Sequence, residues 1–313
     1  EPILDMARRG VVRLRNHPSL IVWGGGNEGT AGYDDVVLNK MGRLTYELDG
    51  TRPFWRQDGG IGGGGITHDH IHWSGASPEH YIKTYSDFKN LNLTEYGLDG
   101  MMNLDSIARF ATEEELAKWP LPTQGTIAYH TSTFNGMNGW SPTPYGYDVD
   151  TFIHYANQFI RVESLEDMIV GSQLAQAVAG YLPALNARMN FPYSTANVVY
   201  KMNDVAPHST WAIVDWYGAP KIAYYLMQDA YEPLTAAVKL DRYNTFESDG
   251  TSAAMDIPVY VLDDVDALTG KNGVKKLDGI TYKAVIDRST TTDAIPATTN
   301  IKLTDIKISI KGK

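Results

Sequence analysis

The sequence contains no cysteine, no long apolar run and no block of basic residues. The absence of cysteine from all 313 residues excludes disulfide bonds and thiolate metal sites. No stretch approaches 18 uninterrupted apolar residues, so a membrane partner is not expected. The charge balance of 27 basic against 37 acidic residues argues against nucleic acid as a partner. The compartment stays undetermined, and a periplasmic or secreted location is compatible with these features.

The remaining composition is that of an ordinary globular chain. It is 43% hydrophobic and 20% charged, and its length suits one large domain with a small one, or two medium ones. The first residues, EPILDMARRGVVRLRNHPS, do not form a signal peptide, because arginines interrupt the apolar core that one requires. Their apolar residues have helical spacing, so the chain is expected to begin within a helix.

Short strand-like stretches alternate with helical patterns over the first three quarters of the chain. The predicted strands are 20–23, 53–57, 66–73, 91–96, 126–129 and 198–202. The predicted helices are 36–48, 78–91, 106–119 and a long pattern over 149–190 that breaks near Ser164. This alternation predicts an α/β fold with a parallel sheet, whose sites lie at the carboxyl ends of the strands.

The pattern changes near Glu232-Pro233. Short alternating runs at 236–240, 253–262, 280–286 and 301–310 follow, separated by Asp, Gly, Ser and Thr clusters. These runs predict a small antiparallel β-sandwich. The expected domains are therefore 1–231 and 232–313.

Two carboxylates follow apolar stretches that have strand character. Glu28 is the second-to-last residue of the segment NHPSLIVWGGGNEG, and Glu95 lies in LNLTEYG. Carboxylates at the ends of two parallel strands can face each other across a cleft, where one acts as acid and the other attacks, as in most glycosidases. The alternative is that both are solvated or ion-paired residues at strand ends.

Histidines, glycines and aromatic residues offer further candidates. His68, His70 and His72 would share one face of a strand, as metal ligands would, although histidines also bind sugar hydroxyls. The glycine-rich segment 59–65 has no following Gly-Lys-Ser/Thr, which favours a surface loop over a phosphate site. Aromatic residues suit either a carbohydrate site or the core. They are Trp23, Trp73, Trp140, Tyr145, Tyr147, Tyr200 and Trp211.

Three segments resemble glycoside hydrolase family 2. RNHPSLIVWGGGNEG resembles the segment around the acid/base glutamate of that family, and LTEYG resembles its nucleophile segment. VVYKMNDVAPHSTWAIVDWYGAPKIAYY, residues 198–225, is similar to the last barrel strand and helix of β-mannosidase-like and exo-glucosaminidase-like members. The module after Glu232 is similar to the Ig-like sandwich that follows their barrel.

The resemblance implies an α/β fold comprising strands 4–8 of a (β/α)8 TIM barrel, followed by an Ig-like sandwich. It implies a retaining exo-β-glycosidase, with a terminal β-mannoside as the favoured substrate, Glu28 as general acid/base and Glu95 as nucleophile. Exo-β-glucosaminidase and β-galactosidase activities are the enzymatic alternatives. A non-catalytic carbohydrate-binding fragment is the alternative from another class.

The resemblance also implies a sugar subsite and no metal or organic cofactor. Asn27 would bind the sugar 2-hydroxyl, and other residues would line the subsite: His72, Trp73, Trp140, Tyr200, Asn203 and Asp204. The glycines before Glu28 would leave room for the sugar. This Gly-Gly-Gly run, and Tyr200 with Lys201, depart from common family patterns. Because barrel strands 1–3 are absent, the expected partner is the missing amino-terminal half or a second copy of the chain.

Overall fold

The computed structural model describes the backbone of residues 2–27, 33–58, 68–72, 92–131, 149–239, 247–248, 252–287 and 307–310. Side chains are described for 2–27, 36–58, 92–131, 149–239 and 258–277. The chain divides into two compact units. The first is Glu1–His70 with Asn90–Thr94, and the second is Ile71–Lys89 with Glu95–Lys313. The predicted helix 78–91 lies outside the described residues.

The first unit contains two helices and a pair of parallel strands. Helix α1 is Pro2–Leu14, strand β1 is Trp23–Asn27, helix α2 is Tyr33–Leu48 and strand β2 is Phe54–Asp58. In the parallel pair, Trp23 lies opposite Phe54 and Asn27 lies opposite Asp58. Helix α2 packs on both strands and on α1. The helix predicted at the amino end and the helix predicted at 36–48 are confirmed.

Strand β1 begins where the sequence predicted a strand to end. The prediction of 20–23 was wrong, because the strand runs through the glycines instead of stopping before them. A Cβ at Gly25 would lie 2.5 Å from the carbonyl oxygen of Arg56, and one at Gly26 would lie 3.0 Å from Leu38 Cδ2. Protein atoms from β2 and α2 therefore fill the space beside these two glycines, where the sequence suggested room for a sugar.

Asp49, the residue after α2, is hydrogen-bonded to the first residue of β1 and to the segment before β2. Its carboxylate accepts hydrogen bonds from Thr51 Oγ1 at 2.5 Å, from Trp23 Nε1 at 2.6 Å and from Arg52 Nη1 at 3.0 Å. The hydrogen bonds from Thr51 and Trp23 lower the pKa of Asp49 to about 2. Arg52 also donates to the carbonyl oxygen of His17 at 3.0 Å. The position of β1 is thus fixed from its amino end.

A three-stranded sheet contains the predicted nucleophile strand. Strands β3 (His68–His72), β4 (Asn92–Gly97) and β5 (Ala196–Val199) lie in the order β3-β4-β5. Neighbours in this sheet follow chain order, as consecutive strands of a barrel would. The described residues form no closed barrel, so the complete (β/α)8 arrangement stays a prediction.

The helices of the second unit differ from the sequence prediction in two places. They are α3 (Leu104–Ile107), α4 (Glu113–Leu116), α5 (Thr126–Thr131), α6 (Val149–Asn157), α7 (Leu165–Met189) and α8 (Ile222–Ala230). The helix predicted at 106–119 is two short helices, because Thr112 and Glu115 form a capping box that starts α4 afresh. The strand predicted at 126–129 was wrong, since α5 buries Ile127, Ala128 and Thr131 at helical spacing.

Helix α7 is the core helix of the second unit. It begins at Ser164, whose Oγ accepts from the Asp167 amide at 3.1 Å, so the predicted break is confirmed. Gly171 allows close contact with Ala156 of α6, and Gly180 with Met227 of α8. By length and composition alone α7 could cross a membrane, but most of its apolar window is buried inside the protein. Burial accounts for its apolar character.

An antiparallel sheet follows α8. Strand β8 (Ser252–Asp263) pairs with β6 (Leu234–Val238), β7 (Glu247–Ser248) and β9 (Val274–Asp287), and β9 pairs with β10 (Lys307–Ile310). Helix α9 (Asp264–Leu268) joins β8 to β9. Arg188 of α7 donates to Ala230 O of α8 at 2.5 Å and to Asp264 Oδ1 of α9 at 2.9 Å, so α7 is bound to the helices on either side of β6–β8 in the chain. The described residues form one sheet here, and the Ig-like sandwich and the boundary at 231/232 stay predictions.

We expect Gly25→Ala to destabilise the chain by about 1–3 kcal/mol, because its Cβ would collide with the backbone of Arg56. Urea unfolding followed by circular dichroism measures the change. Gly24→Ala is the matched control, since a Cβ at Gly24 meets nothing within 4 Å. Equal stability of the two variants would contradict the packing described for β1.

Candidate functional site

The carboxyl ends of β1 and β2 lie side by side in the first unit. Asn27, the last residue of β1, is exposed and lies opposite Asp58, the last residue of β2. Thr94 donates to Asp58 Oδ1 at 2.6 Å. Glu28 follows Asn27 directly, and Glu95 follows Thr94 directly. The residues that precede the two predicted catalytic glutamates are therefore both linked to Asp58.

Glu95 itself lies half-buried near the end of β4 in the second unit. The next residue, Tyr96, is fully buried, and its hydroxyl donates to Asn197 Oδ1 at 3.3 Å. The amide of Tyr200 donates to the carbonyl oxygen of Tyr96 at 2.8 Å. A Cβ at Gly97 would overlap the carbonyl oxygen of Tyr200. Glycine at 97 thus permits the close approach of β4 and the segment after β5.

The segment after β5 contains three of the predicted subsite residues. Tyr200 is partly exposed, and its ring meets that of Trp211 edge-on with centroids 5.9 Å apart. Asn203 is exposed, whereas Asp204 is buried. The carboxylate of Asp204 accepts from Thr210 Oγ1 and pairs with Lys201 Nζ at 3.1 Å. Its contacts are therefore with the protein's own side chains, and its role towards a sugar stays a prediction.

Gln176 of α7 binds both the segment after β4 and the segment after β5. Its Nε2 lies 3.0 Å from the carbonyl oxygen of Leu98, 3.1 Å from that of Trp211 and 3.2 Å from that of Ala212. Leu98 lies just beyond β4, and the other two lie in the segment that follows β5. One buried amide group therefore binds carbonyls from both polypeptide segments that adjoin the candidate site.

Sequence reasoning missed the buried charges beneath the site. Asp99, Asp215 and Lys221 are almost completely buried, together with Asp204. The sequence does contain a local signal for these charges. Asp99 interrupts the apolar run Leu98–Met102, and Lys221 directly precedes helix α8 within a largely apolar stretch. A charge in such a place requires a buried partner.

Several predicted site residues lie outside the described residues. They are Glu28, Trp73 and Trp140, together with the side chains of His68, His70 and His72. The aromatic residues Tyr145 and Tyr147 lie outside as well. The roles assigned to these residues, and the metal alternative for the histidines, stay predictions.

Residues 1–105 match the family model described as "Glycosyl hydrolases family 2, TIM barrel domain". This stretch contains Asn27, Glu28 and Glu95. The predicted resemblance to glycoside hydrolase family 2 is confirmed over this stretch. Among curated relatives, Beta-mannosidase B of Aspergillus niger is 24% identical over 274 residues, which cover 75% of this chain and 30% of that protein.

Solved structures of family 2 relatives share the fold. The beta-D-mannosidase of Dictyoglomus thermophilum matches with a TM-score of 0.60 at 17% identity, covering 99% of this chain and 41% of that one. The exo-chitosanase CsxA of Amycolatopsis orientalis matches with a TM-score of 0.58 at 17% identity, covering 91% and 37%. The chain spans about a third of the length of the relatives it matches.

We expect Gln176→Leu to destabilise the second unit by about 1–3 kcal/mol, because buried carbonyls on both sides of the site lose their donor. Chemical denaturation measures the loss. Gln228→Leu serves as the matched control, since Gln228 is exposed on α8. A Gln176→Leu chain as stable as this control would show that the amide does not hold the two segments.

Proposed function

We propose that this chain carries the catalytic glutamates of a retaining exo-β-glycosidase. Glu28 protonates the leaving oxygen while the Glu95 carboxylate attacks the anomeric carbon, and a glycosyl ester with Glu95 forms as the glycosidic bond breaks. Glu28 then removes a proton from water, which attacks the same carbon and releases both the sugar and Glu95. Two carboxylates are sufficient for this chemistry.

The observation that carries the proposal is the arrangement around Asp58. Asn27 lies opposite Asp58, and Thr94 is hydrogen-bonded to it. Each glutamate follows directly in the sequence on a residue that adjoins Asp58, and this supports the proposal. The family match spans both residues. Retention requires the two carboxyl groups to be roughly 5–5.5 Å apart.

A terminal β-mannoside is the favoured substrate. Relatives that are similar to this chain carry the name beta-mannosidase, both among curated proteins and among solved structures. Asn27 is exposed at the end of β1, where it can bind the sugar 2-hydroxyl. Tyr200 and Asn203 are accessible after β5, and His72, Trp73 and Trp140 complete the proposed subsite. Exo-β-glucosaminidase activity is the nearest alternative, since an exo-chitosanase is also a structural neighbour, and β-galactosidase activity is a further one.

The rest of the barrel is proposed to come from outside these 313 residues. The relatives are about three times as long, and among the described strands β5 pairs with β4 alone. Val198, on this strand, is 53% exposed. An apolar strand edge of this kind requires a partner. The missing amino-terminal half is the favoured partner, and a second copy of the chain is the alternative.

Variants of the two glutamates test their roles in an active full-length enzyme. We expect Glu95→Gln to abolish turnover of every substrate. Glu28→Gln should slow glycosylation by roughly 10²–10⁴-fold with alkyl glycosides and much less with dinitrophenyl glycosides, whose leaving group needs no proton. Burst kinetics separate the glycosylation step from hydrolysis of the intermediate. Glu113→Gln, an exposed carboxylate on α4, is the control. Equal loss of dinitrophenol release in both catalytic variants would refute the assignment.

The 313-residue chain by itself should not turn over aryl β-mannosides, because part of the sugar site and of the barrel wall is missing. Purified chain is assayed alone and after addition of the preceding segment as a separate polypeptide, with oligomeric state measured by light scattering. Activity that appears only with the added segment supports the proposal. Full activity from a monomer of this chain would overturn it. Sugar binding without hydrolysis in the completed protein would favour the non-catalytic alternative.

A further inference from the structure

A buried lysine joins the two polypeptide segments that leave β4 and β5. Lys221 is fully buried, and its Nζ donates to the carbonyl oxygen of Gly100 at 2.7 Å and to that of Thr210 at 3.1 Å. The amide of Gly100 also donates to Thr210 O at 3.1 Å. Gly100 is five residues beyond Glu95, and Thr210 is seven residues beyond Asn203. One ammonium group thus connects the predicted nucleophile strand to the predicted subsite segment.

Four charged residues surround this ammonium group. Asp99, Asp204 and Asp215 are buried, and Lys201 is partly buried beside Asp204. Asp215 Oδ1 accepts from the amides of Tyr217 at 2.9 Å and Ala219 at 3.0 Å. Within the described part of the chain, one carboxylate oxygen of each aspartate has no hydrogen-bond partner. Three carboxylates therefore face two ammonium groups in a largely dry environment.

Burial opposes the charged forms of both Asp99 and Lys221. Burial raises the pKa of Asp99 to about 8, with Asp204 acting in the same direction and Lys221 and Lys201 opposing it. Burial likewise lowers the pKa of Lys221 to about 8, against the three carboxylates. With Asp99 protonated, as its burial favours, the cluster holds two carboxylates against two ammonium groups. Loss of one proton, from either residue, leaves a net negative charge in the buried cluster.

We propose that Lys221, with buried Asp99 beside Gly100, forms a clamp that holds the segment after β4 against the segment after β5. Lys221 is a positioning residue, because its ammonium group binds backbone carbonyls of both segments. At pH values below the titration of Asp99, the cluster is neutral and the clamp between the two segments is closed. Above it, the uncompensated buried charge favours opening of the join between Gly100 and Thr210.

The sign of the stability change follows from proton binding. Between the ordinary carboxylate value and pH 8, folded Asp99 holds a proton that the unfolded chain has released. The contribution of Asp99 to stability is therefore complete at acid pH and falls as the pH rises towards 8. An asparagine at this position cannot ionise, so the difference between the chain and its Asp99→Asn variant isolates this contribution.

Hydrogen–deuterium exchange on the chain itself tests the clamp without any need for turnover. Protection of the Gly100, Met102, Ile213 and Val214 amides, corrected for intrinsic exchange, should fall at least about tenfold between pH 5 and 8. Asp99→Asn should retain protection over this range, whereas Asp105→Asn, an exposed carboxylate on α3, should behave like the unmodified chain. Constant protection in the unmodified chain, which needs no variant to fold, would overturn the proposal. An equal fall in Asp99→Asn would do the same.

A second measurement applies to an active full-length enzyme and rests on the proposed function. The alkaline limb of the pH profile of kcat/KM should move to higher pH in Asp99→Asn, while the acid limb stays in place. An unmoved alkaline limb would refute the link to catalysis. If no glycosidase activity exists, the proposed function fails and the exchange result still decides the clamp.

Discussion

The second unit depends on polar side chains that project from an apolar helix. Helix α7 is buried along most of its length, and it presents Ser172, Gln173 and Gln176 to chain segments without regular structure. Ser172 Oγ accepts from the Met101 amide at 3.2 Å, and Gln173 Nε2 donates to Met101 O at 3.0 Å. Buried irregular backbone has no neighbouring strand to satisfy it, so side chains must supply the missing donors and acceptors. Side chains of α7 therefore make the hydrogen bonds that a neighbouring strand would otherwise make.

The same helix fixes where α8 begins. Gln173 Oε1 accepts from the amide of Ile222, the first residue of α8, at 3.0 Å, and Asn103 Nδ2 donates to Pro220 O at 3.0 Å. Lys221 lies between these two contacts, which explains how a charged side chain is held inside the protein. The position of the lysine is determined by neutral amides on both sides. The hydrogen bonds that hold Lys221 and those that satisfy the neighbouring backbone therefore form one network.

Sequence patterns predicted the long elements well and the short ones poorly. The helix pair around Ser164 and the strand containing Glu95 were visible because apolar periodicity and a capping residue agreed. The strand at Trp23–Asn27 was predicted too early in the chain, because glycine has low strand propensity. The glycines in this strand are explained only by their close contacts with Leu38 and Arg56. The helix at Thr126–Thr131 is too short for periodicity to outweigh its β-branched residues. Both catalytic candidates came from motifs, whereas the burial of Lys221 depends on a contact with Gly100, 121 residues away in the sequence.

The tight packing around the glycines of β1 has a consequence for altering sugar preference by directed evolution. The run before Glu28 would be an obvious target for randomisation, since it differs from common family sequences. Gly25 and Gly26 cannot accept a side chain unless α2 or β2 shifts, and such a shift would displace the backbone that leads to Glu28. Gly24 has open space around it. A useful library would therefore keep the second and third glycines constant and place its diversity at the first.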